Sequence, residues 1–325
     1  MSSASKSSDL RQFLAFSRHG EWLLGSLLPL FGTFFLAAQG NAEDLKLQTI
    51  LAWCAVFLLG TACGYMLNNL SDIEVDRRAG KPTPLEHWSY GARLGVALAF
   101  ESASLALTLL LSDGWTLAAI AACHLIVWSY SFPPRFKEHV WMGPVVASAQ
   151  YWAPSAVMLL AWRAAFPAAL CWIAILAVYG LRITIVHQSL DRQGDLATGV
   201  RTTAVAIGER AAQVLLRILF AVEVCLSLLL MVLLADGPLA PITVPLFLLP
   251  ALNIAWRRFL GQQINLNTYA YVPLSELYET VVPLALALTA LIRAQASLWT
   301  LALLGLLLLA RHRERLGAVH TKSLQ

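Results

Sequence analysis

Charged residues are scarce in this chain. Asp, Glu, Lys and Arg make up 13% of its 325 residues, whereas 58% are hydrophobic. Soluble domains carry about 25% charged residues, and no segment here is polar enough to form one. The composition therefore excludes the pair of soluble domains that the length alone would allow, and it indicates a polytopic membrane protein.

Paired cysteine spacing and a signal-peptide cleavage pattern are also missing. The five cysteines lie in apolar runs without the spacing of disulfide frameworks or metal sites, so we interpret them as small core residues. No signal-peptide cleavage pattern follows the Ser-rich N-terminus, and the first apolar run is expected to remain a membrane helix. The net charge of +4 predicts no nucleic-acid partner, because the basic residues cluster in short loops.

Apolar runs long enough, or nearly so, to cross a hydrocarbon layer of about 30 Å recur along the chain. They cover residues 22–38, 49–70, 91–112, 115–131, 141–161, 167–188, 212–235, 239–258, 278–293 and 297–311. Tight turns such as Ser112-Asp113-Gly114 join neighbouring runs into antiparallel hairpins, and the last two runs are short. We predict an all-α bundle of nine to ten transmembrane helices around a central cavity. Its predicted divisions are a polar N-terminal tail (1–20), a single transmembrane domain (21–311) and a basic C-terminal tail (312–325).

Lys and Arg fall almost entirely on one side of this bundle. With a cytoplasmic N-terminus and ten crossings, the opposite side holds only Lys46, Arg163 and Arg293. The positive-inside rule then predicts that both termini are cytoplasmic. The absence of a transit peptide favours a bacterial inner membrane. The same topology brings the ends of the second and sixth apolar runs to the cytoplasmic side.

The second apolar run ends in an acidic stretch, Asn68-Asn69-Leu70-Ser71-Asp72-Ile73-Glu74-Val75-Asp76. Asn68, Asp72 and Asp76 recur every four residues, which places them on one face of a helix. Ionisable groups at a membrane helix are candidate functional residues. Hard oxygen ligands suit Mg²⁺, which takes one or two carboxylates and completes its shell with phosphate and water.

A second acidic stretch closes the sixth run. Asp191 and Asp195 are four residues apart, and Gly199-Val200-Arg201-Thr202-Thr203 follows. One such patch alone is compatible with a solvated helix end. Two patches in equivalent places favour a functional interpretation, because acidic patches that face each other suit a diphosphate held by Mg²⁺.

The order of these motifs resembles the UbiA-type intramembrane prenyltransferase superfamily. N-x-x-x-D-x-x-x-D precedes D-x-x-x-D-x-x-x-G-x-[KR]-[ST]-T, and the stretch from Tyr130 to Lys137 resembles that family's basic loop. The resemblance covers roughly residues 20 to 295. Many members carry Asp where this chain has Asn69 and a third acid where it has Gly194, which leaves the acceptor open.

The resemblance implies an enzyme of the lipid bilayer that ionises an isoprenyl diphosphate and transfers the prenyl chain to a small-molecule acceptor. Two Mg²⁺ ions are expected. The implied catalytic and metal-binding residues are Asn68, Asp72, Asp76, Asp191 and Asp195. An allylic cation would form when the carbon–oxygen bond breaks, and burial in the bilayer would protect it from water.

Further polar residues are candidate substrate contacts. The cationic candidates for the diphosphate are Lys81, Arg135, Lys137 and Arg201, and Tyr130 belongs to the same basic loop. Arg182, His187 and Gln188 form a polar stripe on the sixth helix; they contact either substrate or neighbouring helices. Gln150 is a candidate for the same cavity, whereas His124, a lone histidine on an apolar helix, is interpreted as a satisfied core residue.

Other functions remain open on the sequence alone. A terpene cyclase of the same superfamily would ionise the same substrate and capture the cation with the substrate's own double bonds. Phosphoribosyl transfer to a polyprenyl phosphate is another activity found in the superfamily. Outside enzymes, an ion-coupled transporter would use the acids as ion sites, but transporters place such sites near the bilayer midplane, whereas these acids lie at helix ends.

Overall fold

The computed structural model describes residues 3–18, 30, 32–34, 36–37, 47–78, 80, 83–164 and 166–234. These residues contain helices and connecting turns but no strand, which confirms the all-α prediction for this part of the chain. In chain order the helices are α1 (Ser3–Phe16), α2 (Leu47–Arg78), α3 (Tyr90–Leu111), α4 (Gly114–Ser131), α5 (Met142–Ala161), α6 (Phe166–Thr198) and α7 (Thr203–Leu234), with a 3₁₀ turn, Phe136–Glu138, between α4 and α5.

Four of the described helices, α2, α3, α6 and α7, are long and apolar enough to cross a membrane. Each contains most of a predicted apolar run, and α4 and α5 cover two further predicted runs. The three last predicted runs and most of the first lie outside the described residues. The predicted count of nine to ten helices is therefore not confirmed.

Helices α2 and α6 continue well past the ends of their apolar runs. α2 ends at Arg78, where basic side chains complement the negative helix end. α6 ends at Thr198, and Gly199 follows with a φ of 76°, which suits the left-handed residue that commonly ends a helix. There the Val200 amide donates to the Asp195 carbonyl at 2.9 Å. Both acidic motifs are consequently helical, and their four-residue spacing stacks the acids on one face, as predicted.

Side-chain caps fix the predicted hairpin between α3 and α4. The Asp113 carboxylate accepts a hydrogen bond of 2.8 Å from the Thr116 amide at the start of α4. The Ser89 hydroxyl caps α3 in the same way by accepting from Ala92 at 3.1 Å. Such caps satisfy amides that the first helical turn leaves unpaired, so the turn is formed by local sequence.

The N-terminal stretch, predicted as a polar tail, contains helix α1. Phe13 and Phe16 of α1 pack into a cluster with Leu85, Trp88 and Phe100. The apolar side chains recur at helical spacing and so share one face. The end of α1 is fixed by the Asn69 side-chain amide, which donates to the Phe16 carbonyl at 2.7 Å. Asn69 thus joins α1 to the helix that carries the first acidic motif.

Close packing of α5 against α6 depends on small residues. A Cβ atom at Gly180 would lie 2.7 Å from the Ser148 Cα atom. The Ser148 hydroxyl donates to the Ala177 carbonyl across the same contact at 2.7 Å. Small residues permit such close helix approach in membranes, and this contact sets the position of α6, which carries the second motif.

Replacing Gly180 with valine is expected to lower the free energy of unfolding by about 1–3 kcal/mol, because the added side chain must push α5 and α6 apart. Thermal unfolding of the purified protein in detergent would measure the change. Gly95→Val on α3 is the matched control, because a Cβ at Gly95 has no neighbour within 4 Å. Equal losses for the two variants would show that the α5–α6 contact is not unusually close.

Candidate active site

A cavity of about 410 Å³ lies among α2, α4, α5 and α6. Both acidic motifs line it: Asn68, Asp72 and Asp76 come from α2, and Asp191 and Asp195 come from α6. The two patches therefore face one shared space, as the sequence predicted. Of the predicted substrate contacts, those that also line the cavity are Tyr130, Arg135, Lys137, His187 and Gln188, and Gln150 lines it as well.

Lys137 is held against the first motif. Its ammonium donates to the Asn68 side-chain oxygen at 3.2 Å and to the Ser71 hydroxyl at 2.6 Å, and it forms an ion pair with the Asp72 carboxylate. Burial lowers the pKa of Lys137, while the adjacent Asp72 carboxylate acts in the opposite direction. Three oxygens of α2 thus converge on one cationic group.

Arg135 adds a second cation to the same wall. Its guanidinium lies 2.8 Å from Glu138 and 3.7 Å from Asp72. Its backbone is left-handed, with a φ of 55°, a conformation that costs a non-glycine residue about 1–3 kcal/mol. With this backbone conformation, the loop places both Arg135 and Lys137 next to the Asp72 carboxylate.

The second motif is tied to the start of α7. The Thr202 hydroxyl donates to the Asp195 carboxylate at 3.1 Å, and Thr202 also lines the cavity. The Gln188 side-chain oxygen accepts from the Ala204 amide at 3.4 Å. Thr203 in turn donates to the Val140 carbonyl next to α5. These bonds fix the end of α6 and so the direction of its acids.

The donor set fits a hard cation that also binds a phosphate. No group of three His, Cys, Asp or Glu side chains in the described ranges converges into a self-contained metal site. Mg²⁺ does not require one, since it is typically bound by one or two carboxylates plus substrate phosphate and water. The convergence of the Asn68, Ser71 and Asp72 oxygens on the Lys137 ammonium shows that this wall accommodates a positive charge.

Of the two alternatives predicted for Arg182, the structure shows the contact with a neighbouring helix. This side chain is absent from the cavity lining and forms a fully buried ion pair with Glu223 of α7, with 2.7 Å between Nε and the carboxylate. It also lies over the Tyr179 ring, 5.6 Å from the centroid. The physical reason is that a charge inside a helix bundle requires a nearby partner, and Glu223 of α7 supplies one.

Two other predicted cations have no described contact with the cavity. Arg201 is exposed and is not part of the lining, whereas its neighbour Thr202 is. Lys81 lies outside the described residues. Their roles in substrate binding stay predictions.

Sequence reasoning missed Arg18. This residue lines the cavity, donates to the Asn69 side chain at 3.0 Å and lies over the Tyr65 ring, 5.9 Å from the centroid. In the sequence it is one basic residue before the first apolar run. The fold of α1 onto α2 is what brings it to the site, and no local motif signals that contact.

Comparisons with known proteins agree with this geometry. The family model described as the UbiA prenyltransferase family matches residues 26–274. Digeranylgeranylglyceryl phosphate synthase of Thermococcus kodakarensis is 24% identical over 208 residues, which cover 63% of this chain and 72% of that protein. 4-Hydroxybenzoate octaprenyltransferase of Yersinia pseudotuberculosis is 30% identical over 202 residues. That match covers 57% of this chain and 65% of the relative, so the chain spans just under two thirds of the octaprenyltransferase.

Solved structures share the architecture. A UbiA homolog from Archaeoglobus fulgidus bound to GPP and Mg²⁺ superposes with a TM-score of 0.66 at 19% identity, covering 90% of this chain and 99% of that one. The same homolog bound to DMAPP and Mg²⁺ gives a TM-score of 0.64 at 20% identity, covering 84% and 98%. At this identity the match shows the fold.

Proposed function

Because the chain belongs to the UbiA prenyltransferase family, we propose that it transfers an isoprenyl chain from its diphosphate to a small-molecule acceptor within the membrane. One observation carries the proposal. Acid-bearing ends of α2 and α6 line a single cavity together with Arg135 and Lys137. Opposed carboxylates and adjacent cations are the groups that a metal-bound diphosphate requires.

The metal would supply charge neutralisation of the departing diphosphate. Asn68, Asp72 and Asp76 would hold one Mg²⁺ ion, and Asp191 and Asp195 a second. Binding of Mg²⁺ together with an isoprenyl diphosphate is supported by the related structures that contain Mg²⁺ with DMAPP or GPP.

The chain's own residues would bind the diphosphate and exclude water from the cation. Arg135 and Lys137 lie where they can donate hydrogen bonds to diphosphate oxygens as the carbon–oxygen bond breaks. The bonding electron pair leaves with the diphosphate, the allylic cation bonds to the acceptor's nucleophilic atom, and the acceptor loses a proton. Val56, Phe57 and Ile120 give the inner cavity apolar walls, which would exclude water from the cation.

We also propose that both acidic helix ends face the cytoplasm of a bacterial inner membrane. The support is the excess of Lys and Arg on that side of the predicted topology. A cytoplasmic site would take a charged diphosphate directly from water, while the prenyl chain and product remain in the bilayer.

Removal of divalent metal is expected to abolish the binding of geranyl diphosphate and any release of pyrophosphate from it. The physical reason is that the acidic patches repel the diphosphate unless a cation lies between them. Isothermal titration and pyrophosphate release would be measured on the purified protein with Mg²⁺, with EDTA, and with EDTA followed by excess Mg²⁺. Restoration in the third sample is the control for unfolding. Equal binding in Mg²⁺ and EDTA would contradict the proposal, and a cyclic product without an acceptor would identify a cyclase.

A further inference from the structure

His124 lies in the cavity wall apart from the two acidic helix ends, and the Glu101 carboxylate is next to it. His124 Nδ1 is 2.8 Å from the Glu101 carboxylate, and the side chains are only 12% and 14% exposed. Ionisable pairs within a membrane bundle are costly and are typically retained for function. The interpretation of His124 as a core residue with satisfied hydrogen bonds does not explain why it lines the cavity.

The second ring nitrogen of His124, Nε2, faces Gly60, which has no side chain. A Cβ atom at Gly60 would lie 3.0 Å from His124 Nε2, and both residues line the cavity. Ser104 is 3.4 Å from the same nitrogen, but its hydroxyl donates to the Val56 carbonyl at 2.9 Å. The Ser104 proton is therefore already engaged. Nearby lining residues such as Ile120 and Val127 are apolar, so Nε2 is a polar atom in a largely apolar part of the wall.

The depth of His124 limits the size of a ligand that reaches it. Ser131, seven residues further along α4, donates to Asn68 of the first motif at 3.4 Å. Seven helical residues rise by about 10 Å. The prenyl carbon that reacts lies beside the diphosphate, and its nucleophile must approach to about 3–3.5 Å. Subtracting this approach from the rise leaves about 7 Å between the nucleophilic atom and His124. That distance accommodates roughly one six-membered ring.

Resting on the proposed function, we propose that His124, positioned by Glu101, binds a hydroxyl or carboxylate group of a compact acceptor about one ring in length. The Glu101 carboxylate orients the imidazole ring of His124 through Nδ1 and leaves Nε2 to face the ligand. Carboxylates commonly fix the orientation of functional histidines in this way. A prenyl chain is a hydrocarbon and has no group that could use this nitrogen. His124 is thus a specificity-determining residue, and Glu101 is a positioning residue.

The test separates acceptor binding from diphosphate binding. The protein in lipid nanodiscs would be titrated with geranyl diphosphate and Mg²⁺. It would then be saturated with geranyl thiodiphosphate and titrated with 4-hydroxybenzoate, benzoate and phenol. His124→Leu is expected to raise the Kd of the tightest single-ring probe about tenfold to a hundredfold, and Glu101→Gln to raise it less. The Kd of geranyl diphosphate should stay within about twofold for a site that touches only the acceptor.

Two further variants keep the test decisive. His124→Gln retains a side chain able to hydrogen-bond and should restore part of the affinity, which also covers the case in which His124→Leu does not fold. Thr108→Val on α3 removes a buried hydroxyl bonded to the Ser104 carbonyl at 2.9 Å without touching the cavity, and it should leave both Kd values unchanged. In steady state, the substitutions at His124 should act on the acceptor KM more than on kcat.

Three outcomes would overturn the inference. Wild-type protein that binds geranyl diphosphate but none of the single-ring probes would exclude a compact acceptor. Unchanged acceptor binding in His124→Leu and His124→Gln would exclude His124. Parallel losses for both ligands would indicate a structural pair. In each case Mg²⁺-dependent binding of geranyl diphosphate by the wild type would leave the proposed function intact, whereas its absence would overturn the function itself.

Discussion

Asparagine in place of Asp72 or Asp191 is expected to reduce prenyl transfer at least about a hundredfold, the loss typical of removing one group that stabilises developing charge. The substitution keeps the side-chain shape but removes the negative charge that would hold the cation bound to the diphosphate. The two acids come from α2 and α6 and line one cavity, so neither helix alone can form the site. Steady-state turnover at several Mg²⁺ concentrations would measure the effect, and part of the loss should be recovered at high Mg²⁺.

Glu74 provides the matched control. It lies on α2 between Asp72 and Asp76 but is exposed, and its carboxylate pairs with Arg77 at 2.9 Å outside the cavity lining. Glu74→Gln removes the same charge from the same helix and should leave turnover within about twofold of wild type, as surface substitutions usually do. Full Mg²⁺-dependent turnover in both aspartate variants would show that these acids do not bind the metal.

Lys137 connects the loop after α4 to this chemistry. Its contacts with Asn68, Ser71 and Asp72 fix the loop on the first motif. A positive charge beside acids stacked on one face reduces their mutual repulsion. The same ammonium is then already in place for a diphosphate. The loop is consequently part of the acidic site rather than a passive connection between α4 and α5.

Local patterns made much of this arrangement predictable. Hydropathy locates α2, α3, α6 and α7 because a membrane imposes long apolar runs, and spacing by four places Asn68, Asp72 and Asp76 on one face. Hydropathy alone does not locate the extensions of α2 and α6, because it reports membrane burial and not backbone conformation, whereas the four-residue spacing of the acids does indicate a helix. The basic residues in the last turn of α2 and the left-handed Gly199 after α6 mark where the two helices end.

Contacts between helices that are distant in the sequence could not be predicted from local patterns. Arg182 and His124 both appeared as polar residues on apolar helices, yet only His124 lines the cavity. Their partners, Glu223 and Glu101, lie on other helices, and one sequence does not show which helices are neighbours. Likewise, Arg201 and Thr202 are neighbours in the second motif, and the sequence does not show which of them contacts the acids. In the structure it is Thr202, because the backbone just before α7 directs its hydroxyl to Asp195.

The buried pair between α6 and α7 has the largest expected effect on stability. Arg182→Met should lower the free energy of unfolding by about 3–5 kcal/mol, because it removes the guanidinium that pairs with the buried Glu223 carboxylate. Both side chains are 0% exposed, so water cannot solvate the remaining carboxylate. The midpoint of thermal unfolding in detergent, compared with wild type, would measure this loss.

A second substitution separates charge from packing. Arg182→Met combined with Glu223→Leu should regain most of the stability, since a buried ion pair replaced by apolar side chains of similar volume is often neutral or better. Arg217→Met on the exposed surface of α7 is the control and should change little. If the double variant is no more stable than Arg182→Met alone, the arginine contributes through its packing and its contact with Tyr179 rather than by neutralising Glu223. Recovery of stability with normal geranyl diphosphate binding would further show that Arg182 supports α6 from outside the cavity.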